Sequence, residues 1–165
     1  MHVFNVALFV TVLVLDQLTK YVAQQELLLG EIVPVIPGLF NFTLVYNPGA
    51  AFGLFGGLPD PWRQIVLFGV SLLALVVVFR FMRREAKDDP WAQAALSGIL
   101  AGAVGNIIDR VRFDSVVDFL DFYWGAYHWP AFNVADSAIS VGVTILIFRI
   151  LFFPQPQSNH AIDSE

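Results

Sequence analysis

The chain has 165 residues, 57% of them hydrophobic and only 14% charged, and its mean hydropathy is +0.67. Average globular proteins carry roughly 25% charged residues, so the composition is that of an integral membrane protein, with a length suited to one domain and a few spans. A net charge of −5 argues against nucleic acid as a partner, and the absence of cysteine removes disulfides, thiolate nucleophiles and Cys-based metal sites.

The first apolar run, Val3 to Leu15, has no Lys or Arg before it and no small-x-small cleavage site after it, so it is read as a retained span and not as a cleaved signal. Span one is expected over about residues 4–24, near the ~20 residues that cross the hydrocarbon. Asp16 and Lys20 lie four apart in its second half, with the acid N-terminal, the better orientation for a helical ion pair. They read as a self-neutralising pair, with Lys20 snorkelling to the interface, or as support for a nearby site; the supporting role is preferred.

From Glu26 to Pro61 the helix pattern is broken by Pro34, Pro37, Pro48, Pro59 and Pro61 and by several glycines. Within it, Leu39 to Tyr46 is aromatic and β-branched with partial alternation, and reads as a strand. Asn47-Pro-Gly-Ala-Ala-Phe-Gly53 follows as a run of small residues. It is either a tight turn or a place where backbone approaches a neighbour or an extended ligand closely.

Span two is expected over about 62–82 and span three over about 91–108, joined by a loop with four of the nine basic residues. Gly98 and Gly102 form a small-xxx-small pair with Gly105 near the same face, which permits tight helix packing in lipid. Asn106, Asp109 and Arg110 project to neighbouring positions at the end of that helix. Phe113 to Tyr127 is amphipathic, aromatic and too polar to span. Tyr123, Trp124, Tyr127 and Trp129 resemble an interfacial belt. Span four is expected over about 132–153.

The expected fold class is therefore an all-α polytopic membrane protein: four transmembrane helices with a small extracytoplasmic β-rich segment lying on the membrane surface. One membrane-embedded domain covers 1–153 and a short polar cytoplasmic tail 154–165. The basic loop belongs in the cytoplasm by the positive-inside rule, which puts both termini there as well. The two irregular segments then face outward, and Asp16, Asp109, Asp118 and Asp136 converge near the outer surface.

Carboxylates at membrane depth are costly and usually functional. Two of them close together share a proton and act as base and acid on one water, an arrangement suited to amide hydrolysis. Asp118, among Val116, Val117 and Phe119, sits in an apolar setting that raises its pKa, whereas Asp136 opens a helix whose dipole favours a carboxylate. Asp109 beside Arg110 reads as a charge-paired structural acid, and Asp114 and Asp121 as solvated interface residues. His2, His128 and His160 are scattered, so a metal site is not expected. His128 is expected to be a lone interfacial side chain. A Ser–Lys dyad would have to use Lys20, for which Asp16 is the simpler partner. A proton-coupled transporter is the main rival, but a relay would spread its acids through the membrane depth.

Five blocks, DQLTK at Asp16–Lys20, NPGAAFG at Asn47–Gly53, GNIIDR at Gly105–Arg110, VVDF at Val116–Phe119 and FNVADS at Phe132–Ser137, together resemble the bacterial lipoprotein signal peptidases, signal peptidase II. Each block alone is weak. Five in the family's order with four spans between them are specific, and they cover nearly all of the chain but the polar tail. The resemblance implies an aspartic endopeptidase of the bacterial inner membrane that removes the signal peptide from diacylglyceryl-modified prolipoproteins, cutting before the lipidated cysteine. It implies Asp118 and Asp136 as the catalytic pair. Asp16, Lys20, Asn47, Gly49, Asn106, Asp109, Arg110, Asn133 and Ala135 then shape the site or hold substrate. The implied partners are lipidated prolipoproteins, membrane lipids and globomycin-type inhibitors, and no cofactor is implied; a monomer is expected. One departure is Gly53, where many members carry Ser.

Overall fold

Long apolar stretches alternate with shorter ones punctuated by Pro and Gly, and the chain folds accordingly. The computed structural model describes residues 3–49, 59, 62–84 and 89–152. Their order is α1 (Val3–Glu26), β1 (Ile32–Ile36), β2 (Phe40–Asn47), α2 (Trp62–Arg84), α3 (Pro90–Phe113), β3 (Val116–Trp124), β4 (Tyr127–His128) and α4 (Val134–Phe152). All four helices are long and apolar enough to cross a membrane, which makes the chain a multi-pass membrane protein. The sequence expectation for residues 50–53, 153 and the polar tail lies outside the described residues.

Helix α3 is the hub on which α1, α2 and α4 all pack. It begins on an Asp89 N-cap, whose carboxylate accepts from the backbone N–H of Trp91 and Ala92, with Pro90 in the first turn where its missing N–H costs nothing. It runs five residues beyond the expected end, because Asp109 and Arg110 have partners and need not leave the helix. It stops at Asp114, whose left-handed backbone (φ 55°) hands its N–H to the Arg110 carbonyl.

The small residues of α3 bring α4 in closely. A Cβ at Gly102 would collide with the Ala135 carbonyl oxygen, and one at Gly105 with the Asp16 carboxylate. From the other side, a Cβ at Gly142 would lie 2.6 Å from Ile99 Cγ1 and 2.7 Å from the Ala95 carbonyl oxygen. Gly98 is different, since its Cβ would meet the Ala138 carbonyl oxygen at an ordinary 3.8 Å.

The sheet has the order β1-β2-β3-β4 with antiparallel pairing throughout. It gathers where α1 and α3 end and α4 begins. The segment expected only to be amphipathic and aromatic contributes β3, and the expected strand is β2. An additional strand, β1, includes Pro34. That residue is tolerated because β1 is an edge strand with an irregular register between Pro34 and Ile36. Between Phe42 and Val45, β2 carries an extra residue opposite β3, a bulge adjoining the partner of Asp118. At the far end of the bundle Asn5 donates to Gln93, and Gln93 donates to the Met82 carbonyl, so one buried chain of amides ties α1, α3 and α2.

Candidate active site

Three helix ends and one strand meet around Lys20. The i,i+4 spacing predicts the Asp16–Lys20 pair, and the two stand 2.9 Å apart. Lys20 does not snorkel. It is buried at 2% exposure and turns across to α3, where Nζ lies 2.7 Å from Asp109 Oδ2 and donates to Asn106 Oδ1 at 3.0 Å. Asp109 is thus a charge-paired acid, but its partner is Lys20 and not Arg110. Consecutive helical residues point about 100° apart, so sequence neighbours on α3 face different ways. Arg110 instead donates to the Asn106 carbonyl at 3.3 Å and lines a cleft with Asp118 and Asp136.

The Lys20 cluster reaches backbone on both sides. Asp16 Oδ1 accepts from the Ala135 N–H at 2.8 Å, satisfying one of the orphan donors in the first turn of α4. Asp109 Oδ2 accepts from the Val117 N–H at 3.2 Å, which holds the start of β3. Gln17 spans the cluster, donating to Asp16 Oδ2, the Gly105 carbonyl and Asp109 Oδ1 at 3.1–3.3 Å. Gln17 lies within the DQLTK block but was not among the expected site residues. An amide one position after Asp16 carries no sequence signal that it faces α3.

Two further carboxylates depend on this frame. Asp118 on β3 accepts from Asn47 through Oδ2 at 2.9 Å and from Asn133 through Oδ1 at 2.7 Å. Asp136 in the first turn of α4 accepts from Asn106 through Oδ1 at 2.8 Å. Asn133 joins the two, because its Oδ1 caps the Asp136 N–H at 2.9 Å while its Nδ2 holds Asp118. Burial, above all, pushes the Asp118 carboxyl up to about 7. The nearby Asp136 charge adds to this, and the Asn47 and Asn133 donors oppose it.

Asp118 and Asp136 line a cleft of about 890 Å³, together with Asn47, Gly49, Asn106 and Arg110. The cleft continues between Leu67, Val70 and Ser71 of α2 and Ser140 and Val141 of α4. All the residues expected from the sequence are therefore brought to one end of the bundle: six at the cleft wall, and Asp16, Lys20, Asp109, Asn133 and Ala135 behind it. Ser137 donates to the Asn133 carbonyl and Lys20 is held by three acceptors, so neither is set up for a Ser–Lys dyad.

Two expectations fail on β3. Asp121 is not solvated. It is buried, accepts from Asn41 at 2.8 Å and faces His128 Nδ1 at 2.8 Å. His128 is accordingly not alone; it also stacks on Tyr123 with ring centroids 5.0 Å apart. Alternation along β3 puts Asp121 on the opposite face from Asp118, so this Asp–His pair is turned away from the cleft. Asp114 is exposed, as expected, with a role in ending α3.

Fold and site define a polytopic membrane enzyme with a carboxylate centre at one end of a four-helix bundle. Two solved structures of bacterial membrane enzymes share the fold. One has TM-score 0.81 and 34% identity, covering 92% of this chain and 89% of that one; the other has TM-score 0.83 and 33% identity, covering 93% and 96%. The family model for signal peptidase (SPase) II matches residues 8–152. A lipoprotein signal peptidase of Desulforapulum autotrophicum is 49% identical over 146 residues, 88% of this chain and 90% of the relative. Another, of Geobacter metallireducens, is 43% identical over 158 residues, 96% of each. The chain belongs to the signal peptidase II family, and it is a membrane peptidase.

Proposed function

We propose that this peptidase removes the signal peptide from diacylglyceryl-modified prolipoproteins, cutting immediately before the lipidated cysteine, with Asp118 and Asp136 as an aspartic dyad. The observation that carries the reading is the pair itself: two carboxylates on one cleft wall, Asp118 held by two asparagines and Asp136 by one, with burial raising the Asp118 carboxyl to about 7. One carboxylate of such a pair is ionised and takes a proton from a water; the other is protonated and polarises the scissile carbonyl. The proton then passes to the leaving amine. Asn47 and Asn133 fix Asp118, Asn106 fixes Asp136, and the Asp16–Lys20–Asp109 cluster sets the backbones that carry them. Arg110 and Gly49 line the cleft where substrate backbone would lie. The names of the relatives support the substrate class.

The reading sets the enzyme in the bacterial inner membrane with both termini cytoplasmic and the dyad near the outer face. Its support is the run of basic residues that begins at Arg80, in the last turns of α2 and away from the site. Globomycin-type cyclic peptides are expected to occupy the same cleft. The test is cleavage of a diacylglyceryl prolipoprotein by purified protein in detergent, beside Asp118→Asn and Asp136→Asn. The expected result is wild-type activity lost by at least about 10³-fold in both folded variants. Activity surviving in either variant would move the dyad elsewhere.

A further inference from the structure

The face of the sheet that carries Asp118 does not end at the cleft. Residues 116, 118, 120 and 122 of β3 share one face by alternation, and the cross-strand partners of β3 extend it. Phe42 pairs with Leu120 and Phe40 with Phe122; Val33 of β1 pairs with Phe42. On the other side Leu120 bridges to Phe132, which lines the cleft beside Asp118 and Asp136. The rings touch in sequence: Phe132 stacks on Phe122 at 5.8 Å, Phe122 lies 4.8 Å from Phe40, and Phe40 meets Phe42 edge-on at 5.2 Å. Exposure grows along β3 with distance from the helices, from 4% at Val116 to 40% at Phe122, and Phe42 is 37% exposed. The opposite face carries the polar set of Asn41, Asp121 and His128. Val117 and Phe119 on that opposite face are buried, so the exposed apolar row belongs to the Asp118 face.

We propose that this row, Phe132, Phe122, Phe40, Phe42, Leu120 and Val33, is a subsite for an acyl chain of the lipidated substrate. The inference rests on the function proposed above. If the cut falls beside a lipidated cysteine, the glyceride lies within a residue of the carboxylates. The row starts at that point and leads away from it without a polar interruption. An open strip of rings suits a flexible chain better than it suits a peptide, since it offers apolar contact without hydrogen-bonding groups. The polar groups that suit a peptide lie instead on the cleft wall, Arg110 among them.

The experiment uses two synthetic prolipoprotein peptides that differ only in acyl length, one with long chains and one with two- to four-carbon chains. It compares wild type with Phe42→Ala and Phe122→Ala. In the variants KM for the long-chain peptide is expected to rise at least about fivefold, with kcat unchanged and KM for the short-chain peptide unmoved. Phe42→Leu, which keeps apolar bulk, is expected to restore most of the difference. It also serves as the reading variant if either alanine change lowers the melting temperature. An unchanged KM for the long-chain peptide, or an equal rise for both peptides, overturns the subsite while leaving the peptidase reading intact. Cleavage of neither peptide by folded wild type overturns the substrate reading, and the subsite with it.

Discussion

Lys20 holds a positive charge between two buried carboxylates and an amide oxygen, with almost no water in reach. Such a cluster stands or falls together, because removing one partner leaves uncompensated charge in a low-dielectric interior, at a cost of about 3–5 kcal/mol. Lys20→Met is therefore expected to lower the unfolding midpoint in detergent steeply, and adding Asp109→Asn to recover part of the loss. An additive double variant would show that the charges are not coupled. Asp118 sets the pH response. Its carboxyl titrates near 7 in the fold, against about 3.9 in an unfolded chain. Between those values the folded state holds a proton that the unfolded state has released. The stabilisation from this group is thus complete below about pH 4 and lost as pH rises to about 7. Asp118→Asn is expected to flatten that slope in a stability–pH series. If Asp118 and Asp136 act as the proposed dyad, cleavage is expected to fall above about pH 7 as the pair loses its shared proton, with apparent values that belong to the pair. The Asn47 donor lowers the Asp118 value, so Asn47→Leu is expected to carry the alkaline limb of the kcat/KM profile to higher pH. A limb that stays in place or moves down would separate it from Asp118.

The glycines of α3 show how element packing selects between residues that look alike in sequence. Gly98 and Gly102 form one motif by spacing, yet only Gly102 abuts the Ala135 carbonyl, next to the Asp16-bound turn of α4. Gly102→Ala is expected to cost about 1–3 kcal/mol and to depress cleavage by displacing Asp136, whereas Gly98→Ala is expected to be neutral or slightly stabilising. Paired melting and turnover measurements decide between this and a uniform seam. The four spans were legible because a run of roughly 20 apolar residues matches the thickness of the hydrocarbon and little else in a chain this short. Strand β2 was legible from Phe40, Phe42 and Val45. Strand β1 was not, since Pro34 signals a break unless the strand is known to be an edge, and β3 was read only as an amphipathic stretch. Asp118 and Asp136, the proposed dyad, stood out from their apolar surroundings and from the matching blocks. The Lys20–Asp109 contact, the reach of Gln17 and the burial of Asp121 against Asn41 and His128 did not. Each depends on how one element is rotated against another, and local patterning does not record that angle.

At the scale of the whole molecule, among the described residues α2 packs chiefly on α3, while α4 packs on α3 and α1. The cleft therefore has a side as well as a mouth. Leu67, Val70 and Ser71 of α2 and Ser140 and Val141 of α4 line that side of it, where the two helices leave a gap. For a lipidated substrate, as proposed, such a side entrance lets the acyl chains stay in the bilayer, since lifting them into water costs about 0.8 kcal/mol per CH₂. Closing the gap is then expected to stop turnover without touching the carboxylates. The chain has no cysteine, so Ser71→Cys combined with Val141→Cys gives two clean attachment points. A short bis-maleimide with an internal disulfide, which adds one cysteine thiol across each of its double bonds, is expected to abolish cleavage of the prolipoprotein substrate, and reduction of the linker to restore it. Each single variant, treated alike, is expected to keep most of its activity. Unimpaired cleavage by the bridged protein would mean that substrate reaches Asp118 and Asp136 from the sheet side, over β2 and β3, and the α2–α4 gap would then be only a lipid-filled seam.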